Sequence, residues 1–219
     1  SSKYELVNEK KHWDKIKEKF SKSKALAIDT ETNSLDFLAA KLVGVSLSDN
    51  ETTIYVPLSH QTDGAKQFDT AFFIDELNEM LKGKTLIGHN IKYDLHVLTR
   101  HGFIFDHEIE DTMLMSYLLN PDASAHSLDH LAFELFGHEN ISFKEITEGK
   151  TFDQVEIEKA FLYAAEDAHV TAMIHEKLSA EMPESLKEVY KLECAIVLSL
   201  LAMEKEGILV NRKLLSKLG

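Results

Sequence analysis

Three Asp-x-Glu pairs occur in this chain, at Asp29/Glu31, Asp49/Glu51 and Asp106/Glu108. At ordinary acid usage about one such pair arises by chance in a chain this long, so context has to separate them. Asp49 and Glu51 fall in a turn between two predicted strands, where carboxylates are solvated at little cost. Asp106 and Glu108 lie in a polar connection. Only Asp29 and Glu31 end an apolar run, Ala25-Leu26-Ala27-Ile28, and the period of a strand points both to the same face. Two carboxylates placed side by side repel each other unless protons or a cation neutralise them. A divalent metal is the simplest cause for such a pair.

Two further pairs have helical spacing. Asn90-x-x-x-Asp94 follows a short predicted strand, and Tyr163-x-x-x-Asp167 sits in a long helical run. The i,i+4 interval brings each pair onto one helix face. Taken singly, each reads equally well as a polar pair on a helix surface. Taken with Asp29 and Glu31, they form an ordered set of four acids carried by a strand, a helix and a helix.

These residues are set in Asp29-Thr-Glu31-Thr-Asn-Ser-Leu35, Gly88-His-Asn90-Ile-Lys-Tyr-Asp94 and Tyr163-Ala-Ala-Glu-Asp167. The set resembles the three motifs of the DEDD exonuclease superfamily. More closely, it is similar to the 3′→5′ proofreading exonuclease domain of the bacterial family A DNA polymerases, the DNA polymerase I family. The resemblance runs from about residue 3 to the end, and the combination of motifs carries it. It implies a ribonuclease H-like fold and two divalent metal ions, Mg²⁺ or Mn²⁺, held by Asp29, Glu31, Asp94 and Asp167. Such ions take oxygen ligands, activate an attacking water and stabilise the departing 3′ oxygen.

The product implied is a nucleoside 5′-monophosphate from a single-stranded or frayed DNA 3′ end. Tyr163, four residues before the last Asp, places the chain in the tyrosine type, since Leu162 stands where the histidine type has its histidine. A phenol with a pKa near 10 is a poor base at neutral pH, so Tyr163 is assigned to orienting the water. By the same carry-over, Leu35 and Phe143 pack against the terminal base and Asn90 contacts the substrate strand. For Leu35 and Phe143, ordinary core packing is the competing reading. The chain departs from the family at Ala125, where an arginine precedes the histidine in other members; a phosphate contact is missing there.

The elements that must position these residues are legible in outline. Tyr4–Val7 is a short apolar start, and Asn8–Phe20 carries Trp13, Ile16 and Phe20 at helical spacing. Ala25–Thr32, Lys41–Ser48, Thr52–Leu58 and Thr85–Gly88 are predicted strands, with a hairpin turn at Asp49-Asn50. Helices are expected over Phe72–Leu81, Ile91–His101, Asp111–Leu119, Ser127–Phe136, Val155–Glu181 and, after Pro183, Glu184–Glu206. The pattern predicts an α/β fold, a mixed β-sheet flanked by helices with a helical C-terminal extension. Residues 1–182 are assigned to the exonuclease domain and 183–219 to a helical lead-in to a polymerase domain in cis. A new helix begins after Gly207 and stops abruptly.

Composition narrows the class further. A chain of 219 residues, 44% hydrophobic, can bury one substantial core. No apolar run approaches the roughly 20 residues of a membrane span, and the single cysteine, Cys194, fits a reducing cytoplasm. The net charge of −13 is uneven: residues 1–24 hold eight lysines against four acids, a net of +4, leaving −17 on the rest. A broad basic track for duplex DNA is therefore excluded, and contact with nucleic acid is expected to be small and metal-screened.

Two spare carboxylates have plain readings: Asp111 caps a helix, and Glu166 is expected on a solvated helix face. His126/His130 lacks the Glu and the cysteine partners of a zinc site. Two alternatives remain open, a ribonuclease D-like RNA 3′-processing enzyme and a non-catalytic spacer domain. Retention of all four acids and the tyrosine counts against the spacer.

Overall fold

The structure, a computed structural model, describes residues 4–62, 64–212 and 215–216. Six strands are present among them: β1 (Glu5–Leu6), β2 (Ala25–Thr32), β3 (Leu42–Ser48), β4 (Thr53–Pro57), β5 (Thr85–Gly88) and β6 (Ile109–Asp111). They form one sheet in the order β1-β4-β3-β2-β5-β6. β2, β3 and β4 make an antiparallel meander, while β5 pairs parallel to β2 and β6 parallel to β5. The turn between β3 and β4 is set by Asp49, whose carboxylate accepts from the backbone of Glu51 and Thr52 at 3.2 and 2.8 Å. Asn50 takes the left-handed conformation there, φ 73°, which Asn tolerates better than most residues.

Among the described residues eight α-helices flank the sheet: α1 (Lys10–Phe20), α2 (Thr70–Leu81), α3 (Ile91–Arg100), α4 (Thr112–Leu119), α5 (Leu128–Phe136), α6 (Phe143–Thr147), α7 (Ile157–Glu181) and α8 (Glu184–Glu206). α1 buries Trp13, Ile16 and Phe20, the stripe its spacing predicts. Asp69 caps α2 through the amide of Phe72, and Ser127 caps α5 through that of His130. On β4, Ile54 and Val56 enter the main core while Tyr55 between them enters a second one beneath α7. Ala160, Ala164, Ala165 and Ala168 are all fully buried on α7. Side chains this small let a long helix lie close against β2, β3 and β4, which brings its acid end to the sheet.

Two strands and one α-helix are not foreseen in the sequence. β1 and β6, of two and three residues, are too short to show an alternation, and α6 is a single turn and a half. The polar connection through Asp106 and Glu108 leads straight into β6. The helix expected after Gly207 falls partly outside the described residues; Ile208–Asn211 is irregular. α8 packs on α3, α4 and β6, so the helical extension lies against the element that carries Asp94.

Candidate active site

The end of β2 supplies the first two acids. Asp29 lies opposite Ser46 of β3 and Glu31 opposite Gly44. Gly44 is required by its neighbour: a Cβ built there would stand 2.1 Å from the Tyr55 hydroxyl. Tyr55 thus passes beneath the acids, its hydroxyl 2.6 Å from His60 Nε2. Burial, followed by the charges of Glu31 and Asp29, pushes its pKa well up. A register irregularity at Glu31/Thr32 then ends the regular pairing and releases the chain into the loop that bears Leu35.

α3 and α7 bring the other two acids to the same place. Carboxylate oxygens of Asp29, Glu31 and Asp167 lie within 4.8 Å of one another. Among the described residues no histidine or cysteine joins a cluster of this kind. Asp94 is held from β2: its Oδ1 accepts from the backbone N–H and the hydroxyl of Thr30, at 2.8 and 2.6 Å. The residue between the two strand acids therefore fixes the third acid.

Among the described residues no lysine or arginine compensates these acids. Burial pushes Asp29 up to about 7. Glu31, Asp94 and Asp167 are raised well above the usual carboxylate range, first by burial and then by the charge of Asp29. Tyr163 is raised strongly by burial and then by Asp167, Glu31 and Asp29. Both causes favour the protonated phenol, which can donate a hydrogen bond. Oxygen donors that close together, each costly to ionise alone, suit a hard divalent cation. The residues present therefore fit Mg²⁺ or Mn²⁺ by the chemistry of the donor set.

A cleft of about 700 Å³ is lined by all eight residues singled out in the sequence: Asp29, Glu31, Leu35, Asn90, Asp94, Phe143, Tyr163 and Asp167. Leu35 is 91% exposed and Phe143 48% exposed. Neither packs as a core residue, which removes the competing reading of both. The Phe143 ring sits edge-on to Tyr163 at 5.9 Å and stacks on Phe152 at 6.2 Å. Asn90, at the N-cap of α3 with φ 62°, makes no side-chain cap bond, so its amide is available to the cleft.

The reading of Glu166 as a solvated surface acid is corrected. It is buried, and it accepts from the backbone of Ile141 at 2.6 Å and pairs with His138 at 2.9 Å. It ties down the segment that leads into Phe143. An i,i+1 neighbour on a helix points elsewhere, as expected, but here a loop covers that face. Asp111 is a cap, and a double one. It accepts from Met113 N and Leu114 N of α4 and from Asn90 N and Ile91 N of α3. Tyr190 of α8 donates to its backbone carbonyl at 3.5 Å, and its own N–H donates to the Tyr190 hydroxyl at 2.8 Å.

Tyr93 and Thr30 went unremarked in the sequence. Tyr93 links α3 to the Leu35 loop through Thr32 Oγ1 and the Ser34 carbonyl, at 2.5 and 2.7 Å. Both residues lie inside the motifs, and only their long-range partners reveal what they do.

Comparison with known proteins agrees with this geometry. A family model described as 3′-5′ exonuclease, of the DNA polymerase A type, matches residues 4–183. The DNA polymerase I of Pseudomonas aeruginosa is 35% identical over 226 residues, covering 97% of this chain and 25% of that protein. The chain thus spans about a quarter of the length of that relative. Among solved structures, Escherichia coli RNase D superposes with a TM-score of 0.73 at 16% identity, over 92% of this chain and 51% of that one. Brucella melitensis NrnC with bound Mg²⁺ gives 0.64 at 21%, over 85% and 87%. The fold is ribonuclease H-like, an α/β mixed sheet flanked by helices. By its motifs, its cleft and its match over most of its length, the chain belongs to the 3′-5′ exonuclease domain family of the family A DNA polymerases.

Proposed function

We propose that this domain removes nucleoside 5′-monophosphates one at a time from DNA 3′ ends, as the proofreading nuclease of a polymerase carried in the same chain. The observation behind the proposal is one cleft lined by four carboxylates, three of them within 4.8 Å of one another, with exposed apolar side chains beside them. Asp29, Glu31, Asp94 and Asp167 would hold two divalent ions, Mg²⁺ or Mn²⁺; the Mg²⁺ seen in NrnC supports this. When bound, such ions acidify water and stabilise charge on phosphate and on a departing oxygen.

The chain's own residues have separate tasks. Leu35 and Phe143 grip the terminal base without reading its identity, because every base offers a π face and an apolar edge. Asn90 hydrogen-bonds the substrate strand. Thr30 fixes one oxygen of Asp94 and leaves the other for the cleft. Tyr163 donates a hydrogen bond that orients the attacking water, a task that a protonated phenol can perform. A paired terminus must be melted before it can enter, so single-stranded or frayed ends are the preferred substrates.

Residues 1–182 form the nuclease in this reading and 183–219 the lead-in to the polymerase portion, with the cytoplasm as its compartment. Among the described residues no helix is long and apolar enough to cross a membrane. Likeness to RNase D supports a second reading, 3′ processing of RNA. The DNA reading is preferred because identity to DNA polymerase I is 35% across nearly the whole chain, against 16% to RNase D. The test uses 5′-labelled DNA and RNA strands of one sequence, with Mn²⁺ or with chelator. The DNA should shorten stepwise from its 3′ end, only with metal, and faster than the RNA. Preferential shortening of RNA would transfer the assignment to the second reading.

A further inference from the structure

The cleft floor is lined by four acids, and the residue before His126 is Ala125, which brings no charge. A strand of nucleic acid nonetheless brings phosphates beyond the one being cleaved. Among the residues that line the cleft, Lys150 is the one lysine or arginine. His89, also in the lining, is held neutral because burial lowers its pKa.

Lys150 is also uncommitted. Many lysines of this chain are taken up by acids, among them Lys10, Lys17, Lys19, Lys66, Lys92 and Lys191, and Lys84 donates to the carbonyls of Phe20 and Ser23. Among the described residues Lys150 has no side-chain partner, and it is exposed at the rim. Its backbone is nevertheless fixed. Glu148 and Gly149 both take left-handed conformations, φ 51° and 83°, and the Lys150 N–H donates to the Thr147 carbonyl at 2.9 Å. Thr151 next to it closes a capping box with Gln154. A fixed backbone with a free ammonium group at a cleft rim is arranged to meet an anion arriving from solvent.

From this placement we propose that Lys150 binds a backbone phosphate of the substrate strand on the 5′ side of the scissile phosphate. The side follows from the substrate's chemistry. The last nucleotide ends in a 3′ hydroxyl, so every phosphate other than the scissile one lies upstream. The scissile phosphate belongs with the four carboxylates at the floor; the rim lysine reaches the next one out. The contact is with phosphate and so serves DNA and RNA alike. It rests on the nuclease reading above.

The length of the substrate provides the test. A dinucleotide with a free 5′ hydroxyl contains one phosphate, the scissile one, whereas a hexanucleotide contains four more upstream. Lys150→Ala should raise KM for a single-stranded hexanucleotide about three- to tenfold at low salt with kcat nearly unchanged, and leave the dinucleotide unaffected. The log–log salt slope of hexanucleotide binding in Ca²⁺ should become shallower by about 0.7, the loss of one phosphate contact on a single strand. Lys150→Arg should restore both. An unchanged KM and slope on the hexanucleotide, or an equal rise on the dinucleotide, would overturn the proposal. The binding arm in Ca²⁺ reads Lys150 without turnover. Absence of any turnover by the parent chain would instead overturn the nuclease reading.

Discussion

Without metal, the acid cluster should cost the fold stability, and the cost should depend on pH. Asp29 is pushed up to about 7 from an ordinary value of 3.8 by burial. Its folded-state pKa is raised, so the folded protein holds this proton more tightly than the unfolded chain does. Stability is therefore fully present below about pH 4 and is lost as pH rises toward 7. A shift of about three units corresponds to about 4 kcal/mol at most. For a chain of this size, each kcal/mol moves the thermal midpoint by about 2–4 °C. The metal-free protein should then melt at a lower temperature at pH 8 than at pH 5. Asp29→Asn, which keeps the shape and removes the charge, should raise the midpoint at pH 8 by about 5–10 °C and have little effect near pH 4. Mn²⁺ should stabilise the parent strongly at pH 8, since it binds the folded state alone, and the variant much less. The assay is thermal melting of both proteins across pH 4–8, in chelator and in Mn²⁺. If the metal-free parent grows more stable as pH rises from 5 to 8, or Asp29→Asn lowers the midpoint at pH 8, the argument from the buried carboxylate fails.

Tyr163→Phe should fold and bind metal normally yet turn over about 10- to 100-fold more slowly, by a factor constant from pH 6 to 9. A factor that varied across that range would mark the phenol as a titrating group, against its strongly raised pKa. Glu166→Ala frees the Ile141 amide and His138, at a cost of about 1–3 kcal/mol. Melting should show that loss, and KM should rise because the segment leading to Phe143 is no longer fixed. Leu35→Ala and Phe143→Ala should each weaken single-strand binding in Ca²⁺, by about 1–3 kcal/mol for the aromatic. Because both side chains are exposed, neither change should shift the midpoint by more than a degree or two.

The sequence carried the acids and their elements well because each motif is local. Asp29 and Glu31 end an apolar strand, and Asp94 and Asp167 each sit at helical spacing from a partner residue. Those patterns survive without knowledge of the fold. What remained hidden depends on contacts distant in sequence. Thr30 looks like a spacer until its hydroxyl is seen 2.6 Å from Asp94, 64 positions away. Asp111 reads as a helix cap, and only the parallel pairing of β5 and β6 brings the start of α3 within its reach. Glu166 was misread because one helix considered alone cannot show that a loop will cover its face. The exposure of Leu35 and Phe143 is likewise a tertiary fact, since an apolar residue in sequence looks the same in a core or at a rim.

The most direct test of the central claim is nucleotide release from a 3′-labelled single strand by the parent and by Asp94→Asn, in Mn²⁺ and in chelator. Asp94 stands on a different element from the strand acids and is held by Thr30, so the change asks whether the assembled cluster performs the chemistry. The account predicts release of labelled 5′-monophosphate by the parent in Mn²⁺ alone, and a rate at least about a thousandfold lower for a folded Asp94→Asn. Undiminished release by the variant, or release by the parent in chelator, would contradict it.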